Sequence, residues 1–419
     1  MVTIHVPMLR TTRLSIILST VLAVLLSACS SPAATPSTGA PAGGAAAPSS
    51  IKIGAVVPLT GGNASLGDQV NNGYQVAVED INKNGGVKLG NVRAQLELKV
   101  LDDESNPSNT VQRMESLYSS ENVVAYLGGA GSNLHAAAVP IAEKNKTPYL
   151  GVAFGLYSIH QQGLKYLFSP FPKSPDLTKM SFDLLDTLNP KPTRVAIFRE
   201  NTDWGREMGS LWTQQANSRG YQVVVDQEYA LGAQDFSPMI LAAKAANADA
   251  VLAQPVPPDG LAIEKQMKEL DFNANVYIVI RAADALVWGQ NLGKDGDYVI
   301  LAPGWSADLK FPGVDQLKSE YQAKYNKPAD ALVGAAYATV QILAAAIERA
   351  GKADRDAIRD ALTQTDMMTV NGPVKFNPDG SGQIITVALQ WQNGKQTLVW
   401  PRDQAASPIA YPAPAWGAR

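Results

Sequence analysis

Few residues in this 419-residue chain could do chemistry: it has three histidines and one cysteine. Only His135 and His160 lie beyond residue 28, and neither has a second histidine or a carboxylate at metal-ligand spacing. The run Gly128-Gly129-Ala130-Gly131 lacks both the spacing and the following lysine of a phosphate-binding loop. Neither a Gly-x-Ser-x-Gly nucleophile turn nor a His-Glu-x-x-His zinc helix occurs. His135 falls in the first turn of an expected helix, where a surface or packing role is commoner than that of a base. A carboxylate pair brought together only by folding stays open. The balance nevertheless points to a binding protein with no catalytic residue, metal or cofactor. One place has the means to hold an anion. A strand ending at Leu127 runs into the bare backbone of Gly128 to Gly131, and Ser132 then opens a helix. The free N–H groups and dipole of a helix start favour a carboxylate. Ser132 alone also reads as an ordinary N-cap, worth about 1 kcal/mol. The glycines in front of it, taken together with a family resemblance set out below, turn the reading toward a ligand.

The elements that must position such a site begin after a leader. Arg10 and Arg13 precede an uncharged, mostly apolar run from Leu14 to Ala28, which ends Leu26-Ser27-Ala28-Cys29. A basic flank, a short apolar core and a small-residue cleavage site describe a secretory signal over residues 1–28. The run is too short to span a bilayer, which takes roughly 20 apolar residues. With the cut directly before the only cysteine, the segment resembles a bacterial lipobox, in which Cys29 is lipidated and becomes the first mature residue. An ordinary signal peptide beside a chance cysteine is the alternative. Residues 29–50 are almost all Ser, Pro, Ala, Gly and Thr after the cysteine and read as a flexible tether. The expected body is extracytoplasmic, anchored through lipid, and free of disulfides.

Losing two leader arginines leaves 33 Lys+Arg of the original 35 against 38 Asp+Glu, a net charge of −5. So mild and mixed a charge argues against nucleic-acid binding. About 370 residues follow the tether, more than one core usually serves, so two domains are expected. From Ile51 the pattern alternates between short apolar runs and helical periodicity. Strands are expected at 51–57, 95–100, 123–127 and 148–153, then at 195–198, 222–225, 250–253, 276–280 and 299–301. Helices fall between them: one carries Val70, Tyr74, Ala77, Val78 and Ile81 on one face and stops at Asn84-Gly85-Gly86, and another is opened by Pro107. Such alternation implies parallel sheets covered by helices on both faces. Residues 313–365 read as helical, with a buried helix from Ala335 to Ala350. Val374-Lys375-Phe376 and Ile384 to Trp391 flank Asn377-Pro378-Asp379-Gly380 and read as a hairpin. The tail 401–419, rich in Pro and Ala, is expected to be loosely ordered.

Ile53-Gly54-Ala55-Val56-Val57-Pro58-Leu59-Thr60-Gly61, then Leu66-Gly67, then Gly73 through Asn82, together resemble the opening of a known family. It is the leucine/isoleucine/valine-binding family, the extracytoplasmic solute-binding proteins of ABC importers. Asp102-Asp103, Tyr126-Leu127-Gly128, Trp204-Gly205 and Asn371-Gly372-Pro373-Val374 stand in matching places, so the similarity runs from Ile51 to Trp400. The resemblance implies the type I periplasmic binding protein fold, an α/β architecture. Two doubly wound parallel-sheet lobes are joined by three crossings and close on a solute between them. It implies a first lobe of 51–169 with 303–370 and a second of 170–302 with 371–400, hinged near Ser169-Pro170, Ala302-Pro303 and Asn371-Gly372. The implied partners are a small carboxylate or amino acid, the permease subunits of an ABC importer, and the membrane through Cys29. A monomer is expected. A ligand sensor of the same fold acting through a signalling partner, or an exported enzyme, is the alternative.

The resemblance also implies a site. Ser132, with main-chain groups at Ala153 and Gly155, would hold the ligand carboxylate, and Leu66 would touch the apolar part. Trp204 stands where the family often places an aromatic ring on the ligand; packing under the following helix suits it equally. Ser105 and Gly131 replace the cysteines of a disulfide common in amino-acid-binding members. A tyrosine expected near Val256 is missing. Arg281, directly after the strand 276–280, stands where a carboxylate would neutralise a ligand ammonium. A guanidinium repels an ammonium and suits a second carboxylate, an oxo acid or an aromatic acid. If the pairing slips by one or two residues, Arg281 is a surface residue and Asp284 is the carboxylate to watch.

Overall fold

Apolar, mostly β-branched residues make β1 (Ser50–Val57) a strand buried along most of its length, central to the first sheet. The computed structural model describes residues 49–419, all within one compact unit, Ala47–Arg419. The signal segment, Cys29 and nearly all the tether lie outside the described residues. After β1 come α1 (Ala64–Lys83), β2 (Val87–Leu89), β3 (Val92–Asp102), α2 (Pro107–Ser119), β4 (Tyr126–Leu127), α3 (Ser132–Lys144), β5 (Tyr149–Leu150) and β6 (Leu167–Phe168). They build a sheet ordered β2-β3-β1-β4-β5-β6, parallel except where β2 meets β3. The ladders of β4 and β5 are shorter than the apolar runs that predicted them: β4 begins only at Tyr126, and β5 covers only Tyr149–Leu150.

The second series runs α4 (Ser174–Leu185), β7 (Arg194–Glu200), α5 (Asp203–Ser218), β8 (Gln222–Tyr229), α6 (Ser237–Ala245), β9 (Ala250–Ala253), α7 (Pro257–Glu269), β10 (Val276–Val279), α8 (Val287–Leu292) and β11 (Val299–Leu301). Then follow α9 (Val314–Tyr325), α10 (Val333–Ala350), α11 (Arg355–Leu362) and the strands β12 (Asp366–Thr369), β13 (Gly372–Phe376), β14 (Gly382–Gln383), β15 (Ala388–Gln392) and β16 (Lys395–Trp400). The second sheet is ordered β16-β15-β11-β10-β9-β7-β8, parallel over β7 to β11 and antiparallel beyond. Two doubly wound lobes result. α10 returns to the first of them and lies on α1. Gly73 permits that approach, since a Cβ there would stand 2.5 Å from Val333 O. The buried Gln69 side chain accepts from Leu332 N at 3.0 Å, tying the two helices together.

Two expectations fail. The turn at 377–380 forms, with Gly380 N donating to Asn377 O at 2.9 Å, but it does not open a hairpin of the second lobe. β12, β13 and β14 make a separate three-stranded sheet beside β6, where Ser169 N donates to Gly380 O at 2.9 Å and the Phe168 and Phe376 rings lie 5.3 Å apart. The chain then crosses, and β15 pairs with β16 in the second sheet. Residues 372–383 therefore adjoin the first sheet, and only 388–400 joins the second. The mostly apolar stretch 384–391 conceals such a crossing, because either strand could use it. The tail is also packed rather than loose. Trp416 is 9% exposed and its Nε1 donates to Phe272 O at 3.2 Å. Ala413 N donates to Asn275 O at 2.9 Å. Side chains fix a segment whose proline content denies it regular structure. Among the described residues, no helix is long and apolar enough to cross a membrane.

Candidate ligand-binding cleft

Open α/β sheets bind ligands beyond the carboxyl ends of their strands, where the strand order reverses. The order reverses at β1 and β4 in the first sheet and at β7 and β9 in the second. Loops beyond the carboxyl ends of both sheets converge on one narrow cleft with a cavity volume of about 20 Å³. Leu66, Ser132, Ala153, Gly155, Trp204 and Arg281 line it together, with Asp284 beside them. Val256 is not among its lining residues; it is the half-buried N-cap of α7. Phe154, Phe171, Leu177, Ile280, Ala302 and Leu332 complete the wall. Sequence reasoning missed these, since apolar lining has the same residue types as core.

The first-lobe wall depends on a close approach between the end of β1 and the loop leading from β4 to α3. A Cβ at Gly129 would stand 2.5 Å from Pro58 Cδ and 2.8 Å from Val56 O. Gly131, at φ 117, is the N-cap of α3, and no side chain caps the helix. The capping role open to Ser132 in the sequence therefore does not apply. Its hydroxyl takes only a long 3.4 Å bond from Leu156 N. Ala153 has φ +53, a left-handed conformation uncommon for a residue with a side chain, and its carbonyl holds Gly131 N at 3.1 Å. Ser105, in the place of a disulfide cysteine, still fastens the first loop. Its Oγ accepts from Asn63 N at 3.1 Å and donates to Thr60 O at 2.7 Å.

In this wall Phe154 lies between two buried basic side chains. His135 stacks on its ring at 4.3 Å, and Lys173 Nζ stands 3.4 Å from the ring centroid. Lys173 donates to Phe154 O at 2.8 Å and Ser169 Oγ at 2.7 Å, and burial lowers its pKa well below the ordinary lysine value. His135 meets the Tyr149 hydroxyl at 2.7 Å and Gly129 O at 3.2 Å. Burial, helped by the Lys173 charge, pushes its pKa down to about 3, and burial takes His160 to about 4. Both are neutral at pH 7 and serve as packing groups. In the unfolded chain each histidine takes up a proton near pH 6.5, whereas the folded protein refuses it. The stability His135 contributes is thus present above pH 6.5 and lost as pH falls toward 3. The cost of His135→Gln, measured by urea unfolding, is expected to be largest at pH 7.5 and to shrink by about 1.4 kcal/mol per unit below pH 6.5. A cost independent of pH would mean that the imidazole titrates normally.

The second-lobe wall begins at α5, where Thr202 Oγ1 accepts from Gly205 N at 3.0 Å. This cap places Trp204 in the first turn, 5% exposed, packed among core residues and also facing the cleft. Its Nε1 is buried without a partner and lies against Gly155, where a Cβ would be 2.7 Å away. Arg281 lays its guanidinium 5.0 Å from the Trp204 ring centroid. It forms a buried ion pair with Glu200, the last residue of β7. The guanidinium charge that the sequence set against a ligand ammonium is therefore already matched within the protein. That objection to an amino-acid ligand falls away. Asp284 is 4% exposed, with Oδ1 unpartnered. Burial raises its pKa well above the usual carboxylate range, against the pull of Arg281.

Fold and cleft together define a class: two-lobed α/β proteins that hold a small solute between two parallel sheets. A family model described as periplasmic binding protein matches residues 50–395, and the chain belongs to that family of solute-binding proteins. The Leu/Ile/Val-binding protein homolog 7 of Brucella abortus (strain 2308) is 25% identical over 394 residues, covering 88% of this chain and 96% of the relative. Among solved structures, the leucine binding protein LivK of Thermotoga maritima MSB8 matches with a TM-score of 0.76 at 25% identity, over 84% of this chain and 99% of that one. An ABC transporter solute binding protein from R. palustris, in complex with benzoate, matches with a TM-score of 0.74 at 19% identity, over 87% and 98%.

Proposed function

We propose that this chain is the solute receptor of an ABC importer, exported by residues 1–28 and held at the membrane by lipid on Cys29. It captures a small carboxylate, an amino acid or a related oxo or aromatic acid, by closure of its two lobes. One observation carries the reading: a single cleft pairs the uncapped start of α3, beside Ser132, with walls of Leu66, Phe154, Phe171 and Ile280. The carboxylate is held by Ser132 and the backbone at Ala153 and Gly155, where helix N–H groups carry partial positive charge. The apolar body packs against the rings. Names that refer to Leu/Ile/Val binding and to benzoate support ligands of this size and charge. The chain crosses between lobes near Ser169-Pro170, near Ala302-Pro303, and in the link 384–387 between β14 and β15. Closure concentrates backbone change in such links.

Calorimetry with leucine, 4-methyl-2-oxopentanoate and benzoate tests the site. Ser132→Val is expected to weaken whichever ligand binds by about tenfold, the loss of one hydrogen bond to a charged group. Unchanged affinity would place the solute elsewhere. The anchor has its own test. Cys29→Ser should move the protein from the membrane fraction to the soluble fraction with ligand affinity intact, since the apolar run is too short to hold it. Retention in the membrane would refute lipidation at Cys29.

A further inference from the structure

We infer that Glu200 decides which ligands the cleft admits: by holding the Arg281 guanidinium it leaves the second-lobe wall without net positive charge, so that monocarboxylates enter and dicarboxylates do not. This deepens the proposed function and rests on the same cleft. Glu200 is 2% exposed at the carboxyl end of β7. Its Oε1 accepts from Thr202 Oγ1 at 2.8 Å, and its Oε2 takes the guanidinium. Gly205 makes room for this corner, since a Cβ there would stand 1.9 Å from Glu200 O.

Arg281 comes from just past β10, with β9 lying between β10 and β7 in the sheet. The guanidinium spans that gap. Nη2 reaches Glu200 and also donates to Gln254 O at 2.8 Å, while Nε donates to Pro255 O at 3.2 Å. Nη1 has no hydrogen-bond partner among the described residues, and Arg281 lines the cleft. The backbone at Arg281 has φ 86 and ψ −58, the rare and strained form of a γ-turn. A residue with a side chain keeps such geometry only where its surroundings over-determine it. The bonds to Glu200, Gln254 and Pro255 supply that constraint.

The selectivity follows from charge. A monocarboxylate spends its charge at the start of α3 and offers the second lobe an uncharged end. A second carboxylate would meet a wall whose cation at Arg281 is already paired with Glu200. An unpaired carboxylate is strongly disfavoured there. Removing the Glu200 charge releases the guanidinium to meet it.

Glu200→Gln, of equal size and still able to bond Thr202, is the test. Affinities of benzoate against terephthalate, and of 4-methyl-2-oxopentanoate against 2-oxoglutarate, are measured by calorimetry. The dicarboxylate-to-monocarboxylate affinity ratio is expected to rise by about tenfold or more. Adding Arg281→Met should return the ratio to its starting value, which a merely structural role for Glu200 would not produce. Should Glu200→Gln fail to fold, Glu200→Asp withdraws the carboxylate by one methylene and should shift the ratio in the same direction. An unchanged ratio with monocarboxylate binding intact overturns the inference and spares the proposed function. A dicarboxylate preference already present in the unaltered protein overturns it too, and no binding of any member of the panel overturns both.

Discussion

Arg419→Ala is expected to destabilise the protein by about 3–5 kcal/mol at pH 8.5, far more than removing a surface arginine costs. The guanidinium is buried and pairs with Glu264 at 3.2 Å. It also donates to Asn273 Oδ1 at 2.6 Å and to Asp295 O at 2.7 Å, and it stacks 3.7 Å from the Trp416 ring centroid. Glu264 has no other partner, and its Oε2 makes no hydrogen bond. Deleting the cation strands a carboxylate in the core of the second lobe. Burial already raises the Glu264 pKa to about 7, with Arg419 pulling the other way. Folded protein therefore keeps this proton up to about pH 7, while the unfolded chain releases it near 4.5. The sign follows: stability from this group is full below pH 4.5 and declines as pH rises through 7. Without Arg419 the folded pKa climbs further, so the penalty of the substitution grows with pH. Urea unfolding at pH 5 and 8.5 measures it, and Glu264→Gln in the same chain should recover most of the loss at pH 8.5. Equal losses at both pH values would show that the tail is anchored by Trp416 alone.

That anchor also marks where the sequence stops being legible. β9 and β11 coincide with the apolar runs that predicted them, because a buried parallel strand is a run of β-branched and small apolar residues with nothing else to be. α1 and α10 were equally plain, since helical spacing of Val70, Tyr74 and Ala77 has no competing explanation. The tail was hidden because its order comes from single long-range contacts. No local pattern announces that Arg419 will find Glu264, 155 residues away. The crossing between β14 and β15 was hidden for a related reason, as residues 384–391 form one mostly apolar stretch with no turn signal inside it. In the cleft, Ser132 and Trp204 could be found because each is a conspicuous residue next to a strand end. Glu200 could also have been found. It directly follows Val195 to Arg199, at the strand end where a doubly wound sheet places its ligand, and that position was the available signal. The charge of Arg281 could not be judged from its own position, because its meaning depends on a partner 81 residues earlier.

Trp204→Phe is expected to lower ligand affinity by about 10- to 100-fold while leaving the ligand-free protein as stable as before, or slightly more so. The two halves of this outcome have one cause. Trp204 Nε1 is a buried donor with no acceptor, and an orphaned buried donor costs about 1–3 kcal/mol. Phenylalanine removes the donor and keeps an aromatic body against Arg281 and Gly155, so the empty protein loses packing but gains relief. With ligand in the cleft the balance inverts. Nε1 lies against Gly155, and both line the cleft; if the solute carboxylate sits at Gly155 as proposed, the indole N–H is expected to gain an acceptor when the cleft is filled. Aromatic residues with one polar handle are often the costliest to truncate at binding sites. Trp204→Ala separates the contributions further, since it removes a large buried side chain and should destabilise by about 3–5 kcal/mol as well. Chemical unfolding without ligand and calorimetry with it give the two numbers independently. Affinity unchanged in Trp204→Phe would mean that the N–H stays orphaned in both states and that Trp204 is only part of the core.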